Sequence, residues 1–388
     1  MKHWFLNVCI ATALLQAVYH AVRVLVSYRV LGLGGDAVTI GIVTALFSLA
    51  PLLVAVRIGR AVDRRHAAAV LRTGVLLTAL GVLVIAASGD LIVLALGNVV
   101  LGFGQILVTV AGQGFITLLS PPGELDRGFA GLTLGVSIGQ AVGVPLVGVI
   151  AAAGSADGGG VVETTLALTV MGVVSLAAIP FAWPIRERPQ SAESAPEGSR
   201  QSVFSMISTT GMRPAVFSSL IVLASVDVVV AYLPVLGHEF GFSVLLVSLL
   251  LTARTAASIV SRAFLPWLLT RVPRQKLLIS ATLCSALPTA LLPFVPDPVG
   301  MALLLVVAGF FWGIGQPLTM TWVAGLVTAA NRAAALSLRL TGNRLGQVLI
   351  PLAAGAAAGV AGTSSIFVIT GGLLGTAAVS TWRAVSTY

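Results

Sequence analysis

The sequence has few charged residues and only two cysteines. Of its 388 residues, 9% are charged, whereas a soluble domain carries roughly 25% charged residues. Cys9 and Cys284 both lie in apolar runs without metal-ligand spacing, so we predict neither a disulfide framework nor a metal site. The sequence also lacks a nucleotide-binding loop and a catalytic triad, and we therefore predict no enzyme and no cofactor.

What the chain has in abundance is long apolar runs. Hydrophobic residues make up 57% of the sequence, and the mean hydropathy is +1.03. Runs of about twenty residues can cross a bilayer, and they must be helices because lipid cannot satisfy backbone polar groups. We therefore predict an all-α polytopic membrane protein with about twelve helices. The expected spans are 4–27, 37–58, 67–88, 91–118, 128–152, 162–185, 214–236, 243–268, 277–295, 299–326, 334–360 and 364–385.

The placement of charge predicts the orientation in the membrane. Basic residues collect in alternate loops and acidic residues in the loops between them, with Arg29 as the exception. This positive-inside asymmetry puts both termini in the cytoplasm of a bacterial inner membrane. The net charge of +9 therefore reflects topology, and we expect no nucleic-acid partner. The basic loop residues include Arg60, Arg64, Arg65, Arg127, Arg186, Arg188, Arg271, Arg274 and Lys276, and the acidic ones are Asp36, Asp90, Asp157, Glu163, Glu239 and Asp297.

Two halves are joined by a single long polar stretch, Ile185 to Ser202, which is rich in Pro, Ser, Glu and Arg. It predicts a cytoplasmic linker over 186–213 between six-helix halves at 1–185 and 214–388. The halves also repeat each other. The letters GFGQ at 102–105 return as GIGQ at 313–316, an offset of 211, and Gln140 returns as Gln347, an offset of 207. Two matches at nearly one offset predict an internal duplication.

The loop after the second predicted helix reads GRAVDRR, residues 59–65. A glycine, three residues and then Asp-Arg resembles the signature loop of the major facilitator superfamily, and the twelve-helix plan extends the resemblance over the whole chain. In that family the loop is a cytoplasmic latch whose aspartate faces the N-terminus of helix eleven. The resemblance departs afterwards, where His66 replaces the family's glycine. The implied latch residues are Gly59, Asp63, Arg64 and, in the second half, Arg271.

The fifth predicted helix carries four glycines at four-residue spacing. Small residues on one face let helices pack closely in lipid. The stretch also resembles the glycine-proline motif of antiporters in this superfamily, which implies efflux, although Val144 separates the last glycine from Pro145. The glycines are Gly131, Gly135, Gly139 and Gly143.

A second departure concerns proton coupling. In many proton-driven exporters of the family, an arginine lies four residues before the glycine pair of helix four. In this sequence Asn98 takes that position before Gly102 and Gly104. Asn98 cannot supply the charge, so the standard coupling mechanism is in doubt.

Polar residues recur within the predicted spans, where they usually face a cavity or a partner. On helix one they fall at i, i+3, i+4 and i+7, which is one helical face. The resemblance implies that helices one, four, seven and ten line a central cavity. An interhelical hydrogen bond is the alternative for any single member. The candidate substrate-binding residues are Gln16, Tyr19, His20, Arg23, Asn98, Gln105, Arg254, Trp312, Gln316, Asn343 and Arg344.

Intramembrane arginines outnumber acids. Arg23, Arg254 and Arg344 oppose one carboxylate within a helix core, Asp227. A guanidinium suits a carboxylate or phosphate group, so we expect a substrate with an anionic group. Arg339 lies nearer the cytoplasmic end of its span, and we expect it to reach the headgroups by snorkelling.

Asp227 is the candidate proton carrier. The repeat offset of 207 places it opposite His20, and such a pair could hold and release a proton. The alternative is a static pair in which Asp227 neutralises Arg23 or Arg254. The sequence leaves both interpretations open.

These observations favour a secondary-active exporter of a small organic solute, anionic or amphipathic, that works by alternating access with proton exchange. The alternatives are an organic-anion importer or exchanger without proton coupling, and a lipid flippase. The expected partners are a small-molecule substrate, protons and the lipid bilayer, and we expect a monomer.

Overall fold

The computed structural model describes residues 3–61, 66–119, 125–154, 164–185, 206–327 and 332–386, which form helices and no strand. Eleven helices of these ranges are long and apolar enough to cross a membrane, and the apolar part of a further helix, Ala37–Leu49, is shorter. The predicted all-α membrane fold is confirmed. The helices are α1 His3–Gly32, α2 Ala37–Ala61, α3 Ala67–Ala87, α4 Leu91–Leu119, α5 Leu125–Gly154, α6 Thr165–Leu176, α7 Met212–Glu239, α8 Val244–Arg271, α9 Arg274–Leu291, α10 Pro298–Gly325, α11 Arg332–Ala361 and α12 Thr363–Ser386.

Helix α6 is shorter than the predicted span 162–185. It ends at Leu176, and a short helix, Ile179–Ala182, follows it. Pro180 lies in this second helix, and a proline has no N–H for the regular helical ladder. The ladder tightens just before it, since the Ala178 N–H donates to the Ser175 carbonyl three residues back.

The chain divides into two compact units. The first comprises Met1–Ser191 and Gly237–Leu249, and the second comprises Ala192–Leu236 and Leu250–Tyr388. The turn between α7 and α8 groups with the first unit, and the predicted division into halves at 1–185 and 214–388 stays a prediction. Most of the predicted linker, 186–205, lies outside the described residues.

In the first unit, α5 packs against α1 through its glycine face. A Cβ at Gly135 would lie 3.0 Å from the Cys9 carbonyl oxygen, and one at Gly139 would lie 2.2 Å from the Ala13 carbonyl oxygen. Only glycine allows backbones to approach this closely. The predicted packing role of this face is therefore correct.

In the second unit, α11 packs against α7 with the same register. The nearest neighbour of a Cβ at Gly342 would be Val216, and that of one at Gly346 would be Leu220. The offset of 207 relates Gly342 to Gly135 and its neighbour Val216 to Cys9. It likewise relates Gly346 to Gly139 and Leu220 to Ala13. The duplication seen in the sequence therefore governs which residues meet.

The exceptional Arg29 has a structural role in the first unit. Its guanidinium donates to the Ser88 carbonyl at 2.6 Å and the Ala86 carbonyl at 3.3 Å, at the end of α3, and to the Thr165 hydroxyl at 3.1 Å, at the start of α6. A cation at a helix C-terminus satisfies carbonyls and opposes the helix dipole. Arg72 does the same for the carbonyls of Trp183 and Ile185.

Acidic residues of the predicted outer loops cap helices. Asp36 accepts hydrogen bonds from the Thr39 N–H and hydroxyl at the start of α2, and Asp297 accepts one from the Gly300 N–H at the start of α10. The bonds from Thr39 hold the pKa of Asp36 below its usual value of 3.8. Capping and the helix dipole both favour a carboxylate at these positions.

Candidate substrate and proton site

The polar face of α11 is buried in the second unit. Arg339, Asn343 and Gln347 recur every four residues and therefore stack along one side of the helix. Their exposed fractions are 5%, 2% and 7%. Buried polar groups need hydrogen-bond partners, and the partners of this face lie on α7 and α10.

One string of hydrogen bonds joins α11 to the buried carboxylate of α7. The Gln347 side-chain amide donates to Asp227 Oδ2 at 2.6 Å. The Gln347 amide oxygen accepts from Arg344 Nη1 at 3.1 Å. Asp227 is 5% exposed and Arg344 is half-buried. Gln347 therefore links a cationic group to the one carboxylate that the sequence places in a membrane core.

A second string joins α11 to α10 and α7. Arg339 Nη2 donates to the Gln316 side-chain oxygen at 2.5 Å and to the Thr319 hydroxyl at 3.3 Å. The Gln316 amide donates to the Ser219 carbonyl at 3.3 Å. The Ser219 hydroxyl donates to the Asn343 side-chain oxygen at 2.9 Å. This string connects three helices through buried and half-buried side chains.

The expectation that Arg339 snorkels to the headgroups is wrong. The side chain is buried and hydrogen-bonds the facing surface of α10. Acceptors on Gln316 and Thr319 lie within reach of its guanidinium, and each charge-assisted hydrogen bond offsets part of the cost of burial.

Two buried donors on uncharged side chains of this unit have no acceptor among the described residues. They are the Trp312 indole Nε1 and the Asn343 amide Nδ2, and both side chains are 2% exposed. A buried donor without a partner costs about 1–3 kcal/mol. Water or a bound solute with acceptor oxygens would remove that cost.

Arg254 and Asn98 occupy related places in the two units. The Asn98 amide donates to the Val43 carbonyl at 2.8 Å, so one of its N–H groups is bonded to the backbone of α2. The offset of 211 relates Val43 to Arg254 and Asn98 to Gly309. The equivalent pair in the second unit is also in contact, since a Cβ at Gly309 would lie 2.3 Å from the Arg254 carbonyl oxygen. The buried Arg254 donates to the Thr255 hydroxyl at 3.0 Å. The two candidates thus sit at one helix crossing of the repeated fold.

The polar stripe of α1 gathers around Tyr19. The Tyr19 ring stacks on Phe47 with centroids 5.2 Å apart and meets His20 edge-on at 4.7 Å. Arg23 Nη1 donates to the Tyr19 hydroxyl at 3.1 Å. Gln16, Tyr19 and Gln105 also line one narrow pocket of the first unit. These candidates therefore lie close together in the first unit, and their role in substrate binding stays a prediction.

Two predicted pairings stay predictions. His20 belongs to the first unit and Asp227 to the second, so their proton exchange is a hypothesis.

The latch residues Asp63 and Arg64 lie outside the described residues. Gly59 lies within α2, and Arg271, the last residue of α8, stacks its guanidinium on Trp267 at 4.4 Å. No group of His, Cys, Asp and Glu in the described ranges could hold a metal ion.

Sequence reasoning did not place Ser219 or Gln347 in the site. Gln347 was visible as the third member of the four-residue spacing on α11, but it carries no charge. Ser219 is less conspicuous because serine is common in apolar helices. The repeat would have helped, since the offset of 207 relates Ser219 to Thr12, another buried hydroxyl.

A family model described as Major Facilitator Superfamily matches residues 8–235 and again 215–387. Among solved structures, a bacterial homologue of the human lysosomal transporter Spinster, inward-facing and occupied, has a TM-score of 0.81 at 16% identity, covering 100% of this chain and 98% of that one. A mutant of the nucleoside transporter NupG has a TM-score of 0.80 at 17% identity, covering 98% of this chain and 99% of that one. A D-xylose-proton symporter has a TM-score of 0.79 at 13% identity, covering 98% of each chain. No curated protein matches the sequence significantly.

Proposed function

We propose that this chain, which belongs to the major facilitator superfamily, carries a small organic anion across a membrane and couples its movement to protons through Asp227. Members of this family are transporters that work by alternating access. The chain is accordingly a multi-pass membrane transporter. Its basic and acidic loops alternate, which supports an inner-membrane location with cytoplasmic termini.

The charge of the second unit supports an anionic substrate. Arg254, Arg339 and Arg344 are buried or half-buried within its helices, and Asp227 is the only buried acid among the described residues. Guanidinium groups away from bulk water attract carboxylate, sulfonate and phosphate groups strongly. The spare donors of Trp312 and Asn343 add hydrogen-bonding capacity for such groups.

The string Arg344–Gln347–Asp227 is the observation that carries the proposal. An anion bound to Arg344 competes with the Gln347 oxygen for the guanidinium. Protonation of Asp227 removes a negative charge from the far side of Gln347, and the protonated carboxyl can donate to that same oxygen. Both events weaken the hydrogen bond between Arg344 and the Gln347 oxygen. Binding of a proton at Asp227 therefore favours binding of an anion at Arg344, and the reverse.

This sign favours co-transport of the anion with a proton, because solute and proton bind together. Exchange requires the opposite sign, in which solute and proton bind alternately. We keep export in exchange for protons as the second candidate, since the glycine face of α5 resembles the antiporter motif and packs on the α1 backbone.

Transport into proteoliposomes under an imposed pH gradient tests the proposal. The panel should contain arylsulfonates and organic phosphates, which stay ionised and cannot cross lipid as neutral acids, together with lipophilic cations. Co-transport predicts accumulation of the anion in the alkaline compartment, and exchange predicts accumulation in the acidic one. Liposomes that carry Asp227→Asn protein serve as the matched control.

The other outcomes identify the remaining alternatives. Anion movement that ignores the gradient in both proteins would indicate an exchanger without proton coupling. Movement of a fluorescent phospholipid between leaflets, without anion uptake, would indicate a flippase. Accumulation of cations alone would overturn the proposal.

A further inference from the structure

A cleft of about 560 Å³ opens between α9 and α10 in the second unit. It lies where α9 begins, at Arg274, and where α10 ends, at Gly325. None of its residues belongs to the polar strings of α11. Its volume is within the range of sites that hold small organic ligands.

The floor of the cleft is apolar. Leu278 and Leu318 line it and belong to one buried hydrophobic cluster between the two helices. Trp322 and Leu326 form a further wall and are only partly buried. The Thr321 hydroxyl also lines the cleft, but the leucine and tryptophan side chains give most of this wall an apolar surface that suits a hydrocarbon chain.

The mouth of the cleft is polar and basic. Arg274 and Gln275 line it and are exposed. Lys276 follows in the same turn, and the first turn of α9 contains no acidic residue. The positive-inside pattern places this loop on the cytoplasmic side, where the membrane surface is negative.

We propose that the cleft binds an anionic phospholipid of the cytoplasmic leaflet. The phosphate lies on Arg274 and Gln275, and an acyl chain follows Leu278 and Leu318 past the Trp322 ring. A free anion would use only the mouth, whereas a phospholipid matches both the basic mouth and the apolar floor. Both flanking helices, Arg274–Phe294 and Pro298–Gly325, are candidate membrane spans, so the cleft lies beside segments expected to contact lipid.

Quenching of Trp322 fluorescence by brominated lipids tests this inference. The full-length protein is placed in nanodiscs that contain phosphatidylcholine and a minor fraction of brominated phosphatidylglycerol or brominated phosphatidylcholine. The chain has six tryptophans, so the Trp322 signal is the difference between the wild type and Trp322→Phe. We expect the brominated anionic lipid to quench that signal more strongly at equal mole fraction.

Charge variants separate a site from general attraction. Arg274→Gln should raise the lipid fraction needed for half-quenching about fivefold, the effect of one basic contact. Lys276→Gln removes the same charge from the same turn without touching the cleft and should change it by less than about twofold. Equal effects of both variants would overturn the site, as would equal quenching by the two headgroups.

A blocking variant separates the cleft from the surface around it. A Cβ at Gly325 meets no atom within 4 Å, so Gly325→Leu should fold and fill the opening. It should reduce the anionic-lipid quenching while preserving the melting temperature. Competition by soluble glycerophosphate as strong as that by unlabelled phosphatidylglycerol would show that only a free phosphate is recognised, which contradicts the lipid assignment.

Discussion

The duplicated helix pairs α1–α5 and α7–α11 share one packing register but not one chemistry. In the first pair, glycines of α5 press on carbonyl oxygens of α1, as at Gly139 and Ala13. In the second pair, glycines of α11 contact side chains of α7. The side-chain amides of Asn343 and Gln347 form further hydrogen bonds between the two helices. Asp227 occupies the place that His20 holds in the first unit.

On the basis of this difference we propose a division of labour between the two units. At the α1–α5 contact, a Cβ added to Gly139 would lie 2.2 Å from the Ala13 carbonyl oxygen. The space between these helices therefore holds neither a larger side chain nor a solute. The α7–α11 contact instead consists of side chains that can exchange partners. In this proposal the α1–α5 pair is a rigid brace and the α7–α11 pair serves binding and proton transfer.

The largest effect is expected at Asp227. Asp227→Asn keeps a hydrogen-bonding side chain but cannot carry a proton, so pH-driven anion uptake should be abolished while counterflow exchange persists. His20→Gln, at the equivalent place in the first unit, tests the comparison from the other side. Proteoliposome uptake measures both variants, and the division of labour fails if His20→Gln abolishes coupling and Asp227→Asn preserves it.

The next effect is on selectivity for anions. Arg344→Gln removes one charge-assisted contact and should weaken anion binding about 10- to 100-fold, corresponding to about 1.5–3 kcal/mol. Binding of neutral compounds should change little. Isothermal titration in detergent measures both classes, and equal losses would point to a fold defect.

Arg339→Gln provides the structural contrast to this variant. Arg339 holds Gln316 and Thr319 on α10, so its loss should lower the melting temperature of the protein. Arg213→Gln, which removes an exposed arginine of α7, is the control for charge loss alone. A purely anion-selective defect in Arg339→Gln would move this residue into the binding site.

Alanine at equivalent glycines tests the brace directly. Gly139→Ala forces a methyl group against the Ala13 backbone and should cost about 2–3 kcal/mol of unfolding free energy. Gly346→Ala meets the flexible Leu220 side chain and should cost less than about 1 kcal/mol. Gly375→Ala, where an added Cβ meets nothing within 4 Å, is the control for backbone propensity in denaturant unfolding.

The smallest effect concerns acid stability. The pKa of Asp36 is lower in the folded protein than its usual 3.8. Its ionised carboxylate therefore adds to the free energy of unfolding, fully above pH 3.8, and this stabilisation is lost as the pH falls through the folded pKa. Asp36→Asn keeps a good N-cap and should remove this dependence. Melting curves between about pH 2 and 6, about two units on either side of the usual value, should converge for the two proteins at the acidic end.

Much of this architecture could be predicted from the sequence. Hydropathy alone gives the helix spans, because lipid permits only helices of a fixed minimum length. The four-residue spacing of Arg339, Asn343 and Gln347 gives a common face, and the repeat gives the register of Gly342 and Gly346 on α7. These features follow from periodicity, which a single chain displays in full.

The partners of buried polar groups could not be predicted in the same way. Position along the bilayer normal suggested that Arg339 reaches the headgroups, but the acceptors of Gln316 and Thr319 belong to another helix. Asn98 binds a backbone carbonyl of α2, and no sequence pattern marks a carbonyl as an acceptor. Such contacts depend on the rotation of neighbouring helices, which hydropathy does not determine.

In our proposal the second unit binds a proton together with an anion through Asp227, Gln347 and Arg344. Proton uptake on ligand binding tests it most directly. The purified protein is held in weakly buffered detergent, and the arylsulfonate or organic phosphate with the fastest liposome uptake is added while the pH is recorded. We expect proton uptake by the wild type and none by Asp227→Asn. Proton release by the wild type, or uptake unchanged in Asp227→Asn, would contradict it.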